Sequence, residues 1–268
     1  MLQHNHRRSC TRPHSCPGKE QSLPLPALRA WRATRESLMR LDRFLAKLPH
    51  CSQQQARRLL AAGRVRLNGE AGCDGTRDVR VFDRVELDLE VLQAGKPARF
   101  FMLNKPAGCV SATCDPQHTT VLDLLAEPDK DDLHIAGRLD FNTTGLLLIT
   151  NDGLWSRRLT QPTSLQGKTY LVQTEDPIDP ACVARFAEGI HFRFENLVTR
   201  PAKLELLGSH QARLTLHEGR YHQVKRMFGH FRNKVIGLHR ERMGPLLLDP
   251  ALAPGEFRAL TPAEISAI

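Results

Sequence analysis

Residues 136–153 read AGRLDFNTTGLLLITNDG, and this stretch decides how the larger part of the chain is organised. Leu146, Leu147, Leu148, Ile149 and Thr150 form a strand-like run. It follows a polar loop containing Asp140. Gly137 and Gly145 stand on either side of that loop, where a residue without a Cβ permits a tight backbone turn.

Two later segments are equally unusual. In GKTYLV, residues 167–172, strand periodicity puts Lys168 and Tyr170 on one face. In EGRYHQVKRMFGH, residues 218–230, a turn at Gly219 gives way to a helix rich in basic residues. A carboxylate in a glycine-bounded loop is more often a turn residue than a nucleophile. What raises the catalytic reading of Asp140 is its company. Arg138 lies two residues away, and Lys225 and Arg226 offer counter-charge. Tyr170 and Tyr221 are the only tyrosines of the chain. His217, His222, His230 and His239 are spaced by 5, 8 and 9 residues, which places no two of them as a ligand pair on one helical turn. No metal is expected.

Towards the N-terminus, Lys96 and Pro97 mark a linker, and a strand starts at Phe100. The expected division is a basic leader over residues 1–38, a small module over 39–96 and a body over 97–268. In the module, Leu41, Phe44, Leu45 and Leu48 recur at helical spacing, with Asp42 early in the turn. Ser52 caps a second helix over residues 53–62, and Gly63 stops it. Residues 64–67 alternate as a strand, Asn68-Gly69 makes a hairpin turn, and residues 79–89 alternate again. The leader mixes His, Arg, Pro, Ser and Gln and reads as disordered. His4, His6, Cys10, His14 and Cys16 fit no compact zinc spacing, and Met39 is a candidate alternative start.

Charge follows the same division. The chain of 268 residues has 38 Lys and Arg against 29 Asp and Glu, a formal +9. Residues 1–38 and 39–72 each hold seven basic and two acidic side chains, whereas residues 73–268 hold 24 and 25. All the excess therefore lies in the first quarter and suits a polyanionic partner. Within the body, residues 213–242 hold eight basic and two acidic side chains, a second local surplus. No apolar run approaches the roughly 18–20 residues of a membrane span. Paired arginines at positions 7 and 8 precede no apolar signal region. Seven scattered cysteines suit a reducing cytosol better than a disulfide framework. A cytoplasmic protein with no membrane partner is expected.

RLDRFLAKLPHCSQQQARRLLAAGRVRLNG, residues 40–69, resembles the small RNA-binding domain of S-four type found in a small-subunit ribosomal protein and in tyrosyl-tRNA synthetases. The resemblance implies that Arg57, Arg58, Arg64 and Arg66 face an RNA backbone, where guanidinium groups can make bidentate contacts with phosphate. Gln53 stands where that family usually has a basic residue, which weakens one phosphate contact. The set FMLNKPAG, GRLDFNTTGLLLITNDG, KTYLV, EGRYHQVKRMF and LHRERMGPLLL is similar to the pseudouridine synthases of the RsuA/RluB branch, and within it to members acting on small-subunit (16S) ribosomal RNA. The likeness runs from about Met39 to the C-terminus.

That resemblance implies an α+β fold: a small α/β RNA-binding module, then a catalytic domain on a mixed, mainly antiparallel sheet. It implies that Asp140 is the nucleophile on a flipped-out uridine, that Tyr170 packs against the base and helps remove the carbon-5 proton, and that Lys225 pairs with the aspartate. Arg138 is matched with displacement of the base from its stack, and Arg220 and Gln223 with support of the loop and the RNA. The reaction exchanges one glycosidic bond for another within a nucleotide, so no cofactor is implied. The implied partner is ribosomal RNA within a small-subunit assembly intermediate, and the chain is expected to be a monomer. Large-subunit (23S) rRNA as target, and a non-catalytic rRNA-binding or ribosome-assembly role, are the alternatives. An Asp-dependent hydrolase lacks a second carboxylate or metal ligands.

Overall fold

The alternation of Leu146, Leu147, Leu148 and Ile149 across a sheet explains the body. In the computed structural model, which describes residues 38–49, 51–161, 163–164 and 166–268, all four are fully buried in the strand Thr144–Thr150. Leu147 and Ile149 enter one apolar cluster with Leu103, Val172, Leu214 and Phe228. Leu146 and Leu148 enter another with Met102, Trp155, Leu159 and Met243. Successive strand residues point to opposite faces, so a continuous apolar run is a strand with cores on both sides. Burying each such side chain contributes about 1.5–3 kcal/mol.

Nine strands form this sheet among the described residues. Its main path runs Lys203–Leu206, Gln211–Leu216, Lys168–Thr174, Val235–Met243, Thr144–Thr150, Phe100–Lys105 and Phe257–Ala259. His134–Ala136 and Leu246–Leu247 pair at its sides. Every pairing is antiparallel except one: Val235–Met243 runs parallel to Thr144–Thr150, with His239 opposite Thr144 and Arg240 opposite Gly145. The mixed, mainly antiparallel sheet is the one expected. At the parallel contact Gly145 has φ +99°, and a Cβ there would lie 2.4 Å from the Arg240 carbonyl oxygen. Only glycine lets the strand after the Asp140 loop approach so closely.

Residues 39–93 have a separate core. Leu41, Leu45, Ala56, Leu60, Val65, Leu67, Val79 and Val85 pack together beneath the helices Leu41–Leu45 and Gln53–Ala61. Ser52 caps the second helix as expected, and Gln55 completes a capping box by accepting from the Ser52 amide. Asn68 and Gly69 have φ +52° and +85°, both left-handed, as a tight hairpin turn requires. Residues 79–89 are not one strand. Asp78–Val79 and Val85–Leu87 belong to different sheets, because Asp83 accepts from the Arg80 amide and Asn68 accepts from the Arg84 amide, which bends the chain between them. Arg80 also forms an ion pair with Asp152, the residue that caps helix Gly153–Thr160 of the body.

At the C-terminus, Thr261 and Glu264 form the expected capping box on helix Pro262–Ser266. No described helix is long and apolar enough to cross a membrane. The basic leader, its histidines and Cys10 and Cys16 lie outside the described residues.

Candidate active site

Asp140 is on the loop between strands His134–Ala136 and Thr144–Thr150, and its side chain is one-third exposed. The loop around it is pinned by three side chains. Arg240, fully buried on Val235–Met243, donates from Nε to the Leu146 carbonyl and from Nη2 to the Gly137 carbonyl, both at 2.8 Å. Ser111 Oγ donates to the Leu139 carbonyl at 2.8 Å and accepts from the Leu139 amide at 3.1 Å. Lys105, with no exposed surface, donates from Nζ to the carbonyls of Pro106, Phe141 and Thr143 at 2.9, 3.1 and 3.0 Å. Burial pushes the Lys105 ammonium below the ordinary lysine range. Carbonyls on both sides of Asp140 thus meet internal donors. Hydrogen bonds to charged groups contribute about 1.5–3 kcal/mol each, enough to hold the backbone that carries Asp140.

Two basic side chains face that carboxylate. Lys225, on helix Gln223–Gly229, places Nζ 3.9 Å from Asp140 Oδ2. His222, which precedes the helix, places Nε2 3.6 Å from the same oxygen. His222 has φ +49°, a left-handed conformation uncommon for a residue with a side chain. The turn bearing it is braced by the buried Glu218. Glu218 Oε1 accepts from the Gln223 amide group at 2.7 Å and from the Arg200 backbone N–H at 3.0 Å. Its Oε2 accepts from Arg220 Nε at 3.0 Å, while Gln223 Oε1 accepts from the Arg220 N–H. Gln223 is buried and both ends of its amide bond within the protein, which makes it a brace for the turn rather than a group offered to RNA.

Asp140, His222 and Lys225 line a cleft of about 820 Å³ together with Arg138, Lys168, Tyr170 and Arg220. Strand Lys168–Thr174 runs along the cleft with Lys168 and Tyr170 both lining it, as their spacing predicts. Tyr170 is buried; Arg138 and Arg220 are exposed. Burial pushes the Lys168 ammonium down, and the neighbouring Arg240 charge adds to the effect. A carboxylate oriented beside an ammonium and an imidazole, at the wall of a cleft that contains a phenol, is arranged to attack an electrophilic carbon or to move a proton.

Arg226 does not supply counter-charge to Asp140. Its guanidinium pairs with Glu195 and lies 3.6 Å above the Phe192 ring, since consecutive helix positions diverge by about 100° and carry it away from the Lys225 side chain. On the small module, Arg57, Arg58 and Arg66 are exposed. Arg64 is exposed too, but forms an ion pair with Asp88, which sequence spacing did not reveal. No group of three or more potential ligands is placed to hold a metal ion among the described residues.

Motif and spacing do not point to His222 or Arg240 as site residues, and the histidine spacing bears only on metal binding. Lys105 has a signal, a charge closing the strand FFMLNK, which opens with four apolar residues.

Residues 99–230 match the family model described as RNA pseudouridylate synthase, and residues 39–71 match that of the S4 domain. Over 230 residues, 86% of the chain, the sequence is 65% identical to the whole of ribosomal small subunit pseudouridine synthase A of Pseudomonas aeruginosa. It is 46% identical over the same share to the whole of the Escherichia coli K12 protein of that name. A solved structure described as a pseudouridylate synthase superposes with a TM-score of 0.62 at 43% identity, covering 86% of this chain and 99% of that one.

Proposed function

The chain belongs to the RNA pseudouridylate synthase family, and on that premise we propose that it isomerises one uridine of small-subunit (16S) ribosomal RNA to pseudouridine, with Asp140 as nucleophile. The ion-pair geometry between Asp140 and Lys225 inside the cleft, 3.9 Å from Oδ2 to Nζ, carries this reading. The relatives named small subunit pseudouridine synthase A favour the small-subunit target over the large-subunit one.

The chemistry follows from what must balance. The bond from uracil N1 to ribose C1′ breaks, a bond from C5 to C1′ forms, and the C5 proton leaves while N1 gains one. A base stacked in a helix cannot be turned about and rejoined, so it has to leave the stack first, at a cost of a few kcal/mol. Arg138, exposed at the cleft, is suited to filling the place it vacates. Tyr170 is suited to packing on the extruded base and to helping remove the C5 proton. Asp140 assists release of uracil from C1′, and Lys225 balances its charge. Arg220 and Gln223 hold the turn that carries Lys225.

Arg57, Arg58, Arg64 and Arg66 of the S4 module supply a second, sequence-independent hold on phosphate, with Arg57, Arg58 and Arg66 the readiest donors. Residues 39–96 act as the RNA anchor and residues 97–268 as the catalytic domain. The chain works as a monomer in the cytoplasm, on a small-subunit assembly intermediate.

The test is to map pseudouridine across both ribosomal RNAs in a strain lacking the gene, then restore the wild-type chain or Asp140→Asn. One small-subunit position should lose the modification and regain it only with the wild-type chain. Loss at a large-subunit position would overturn the target, and restoration by Asp140→Asn would overturn the role of Asp140.

A further inference from the structure

Tyr221 is 76% exposed, although it lines the same cleft as Asp140. Leaving so large an aromatic side chain in water forgoes the hydrophobic stabilisation that its burial would bring. One face of the ring is covered: Tyr221 stacks on His222 with centroids 3.8 Å apart and planes inclined by 21°. His222 in turn reaches to 3.6 Å from Asp140. The stack therefore begins at the reacting carboxylate and ends in an open aromatic face.

The mount of this ring is rigid while the ring itself is unpacked. Arg226 Nη1 donates to the Tyr221 carbonyl at 3.3 Å, and the same guanidinium is fixed by Glu195 and the Phe192 ring. The Arg226 amide donates to the His222 carbonyl at 3.0 Å, and the Gln223 amide to the Arg220 carbonyl at 3.2 Å. The left-handed His222 backbone turns two adjacent rings to one side of the loop. Phe141, the other exposed aromatic residue of the cleft, is less open at 42% and meets His118 edge-on rather than in a stack. The segment bearing Tyr221 is also the basic one, with eight cationic and two acidic residues over 213–242.

We propose that Tyr221, supported by His222, is a stacking platform for an unpaired base directly next to the target uridine in the RNA. Extruding one nucleotide breaks the stacking of its neighbours, and an aromatic face beside the cleft replaces part of what is lost. The platform recognises an unpaired base rather than a particular sequence, since every base has a π-face. This assignment rests on the isomerase reading above.

The experiment uses the full chain and an RNA oligonucleotide centred on the uridine that the mapping identifies, with 2-aminopurine in place of the 5′ or the 3′ neighbour. Tyr221→Ala and Tyr221→Leu should raise KM about tenfold with much less change in kcat, and Tyr221→Phe should restore most of the affinity. At one of the two neighbouring positions, 2-aminopurine should stay quenched in the wild-type complex and brighten severalfold with Tyr221→Ala. The platform is overturned if Leu serves as well as Phe, if kcat alone falls, or if neither probe position distinguishes wild type from Tyr221→Ala. A mapping that finds no uridine modified by the chain overturns the isomerase reading instead, whereas failure of the platform leaves that mapping unchanged.

Discussion

Lys105 Nζ donates to the Phe141 carbonyl at 3.1 Å, so a lysine at the end of one sheet strand holds the residue that follows Asp140. The same ammonium also bonds the carbonyls of Pro106 and Thr143. The position of the carboxylate is thus set from the end of an interior strand as well as from the helix that carries Lys225.

Lys105→Met keeps the length of the side chain and removes a donor from three carbonyls: that of Thr143 is buried, that of Phe141 also accepts from the Gly108 amide, and that of Pro106 from the Cys109 thiol. A buried carbonyl left unsatisfied, as that of Thr143 would be, costs about 1–3 kcal/mol. The midpoint of thermal unfolding should fall by several degrees, and kcat should fall more than KM rises. Calorimetry together with steady-state kinetics measures both. An unaltered midpoint would mean that the three bonds are not what holds the loop.

Asp140→Asn preserves shape and removes the charge. Pseudouridine formation should disappear, while RNA affinity stays within a few-fold, as a filter-binding titration would show. Measurable turnover by the variant would end the nucleophile assignment.

Lys225→Ala leaves Asp140 facing only His222, and turnover should drop by about 10²–10³, the range seen when one charge-stabilising group is lost from a site. Single-turnover rates at saturating RNA isolate this from binding. Rates equal to the wild type would remove Lys225 from the site.

Arg57→Ala, Arg58→Ala and Arg66→Ala in combination should lower the slope of log affinity against log salt by about 2–3, since each lost phosphate contact removes about 0.7–0.9. Arg64→Ala should change it less, because the Asp88 carboxylate already neutralises that guanidinium. Binding titrations over a range of salt concentrations supply the slopes, and an unchanged slope in the triple variant would place the anchor elsewhere.

Glu264 gives a pH signature at the C-terminal helix. Its carboxyl is held down at about 2 against an ordinary 4.5, chiefly by the Arg258 guanidinium. A folded-state value below the unfolded one stabilises the fold fully above about pH 4.5 and loses that contribution as pH falls towards about 2. Glu264→Gln should therefore cost about 1 kcal/mol near neutral pH, allowing for solvent screening. Denaturant midpoints should converge below pH 4.5; a constant difference at every pH would mean that the charge is not the cause.

Much of the fold was legible in local patterns. Ser52 and Thr261 announced their helices because capping depends on residues three apart. Asn68-Gly69 announced its hairpin, and 146–150 its strand, for equally local reasons. The alternation at 79–89 misled, because the bend there depends on Asn68, which is distant in sequence but adjacent across the module.

The chemistry divides in the same way. Asp140, Tyr170 and Lys225 could be named from sequence as candidates, on the resemblance of their motifs to a known family, and the two regions of positive charge that suit a polyanion could be counted directly. Only the tertiary structure decided that Arg226 turns away to Glu195, that His222 shares the Asp140 carboxylate with Lys225, that Arg64 is already paired, and that Lys105 and Arg240 hold the loop. The physical reason is that these are contacts between side chains on different strands and turns. Their distances are set by how the sheet pairs, through the parallel register of Arg240 with Gly145, and not by any spacing along the chain.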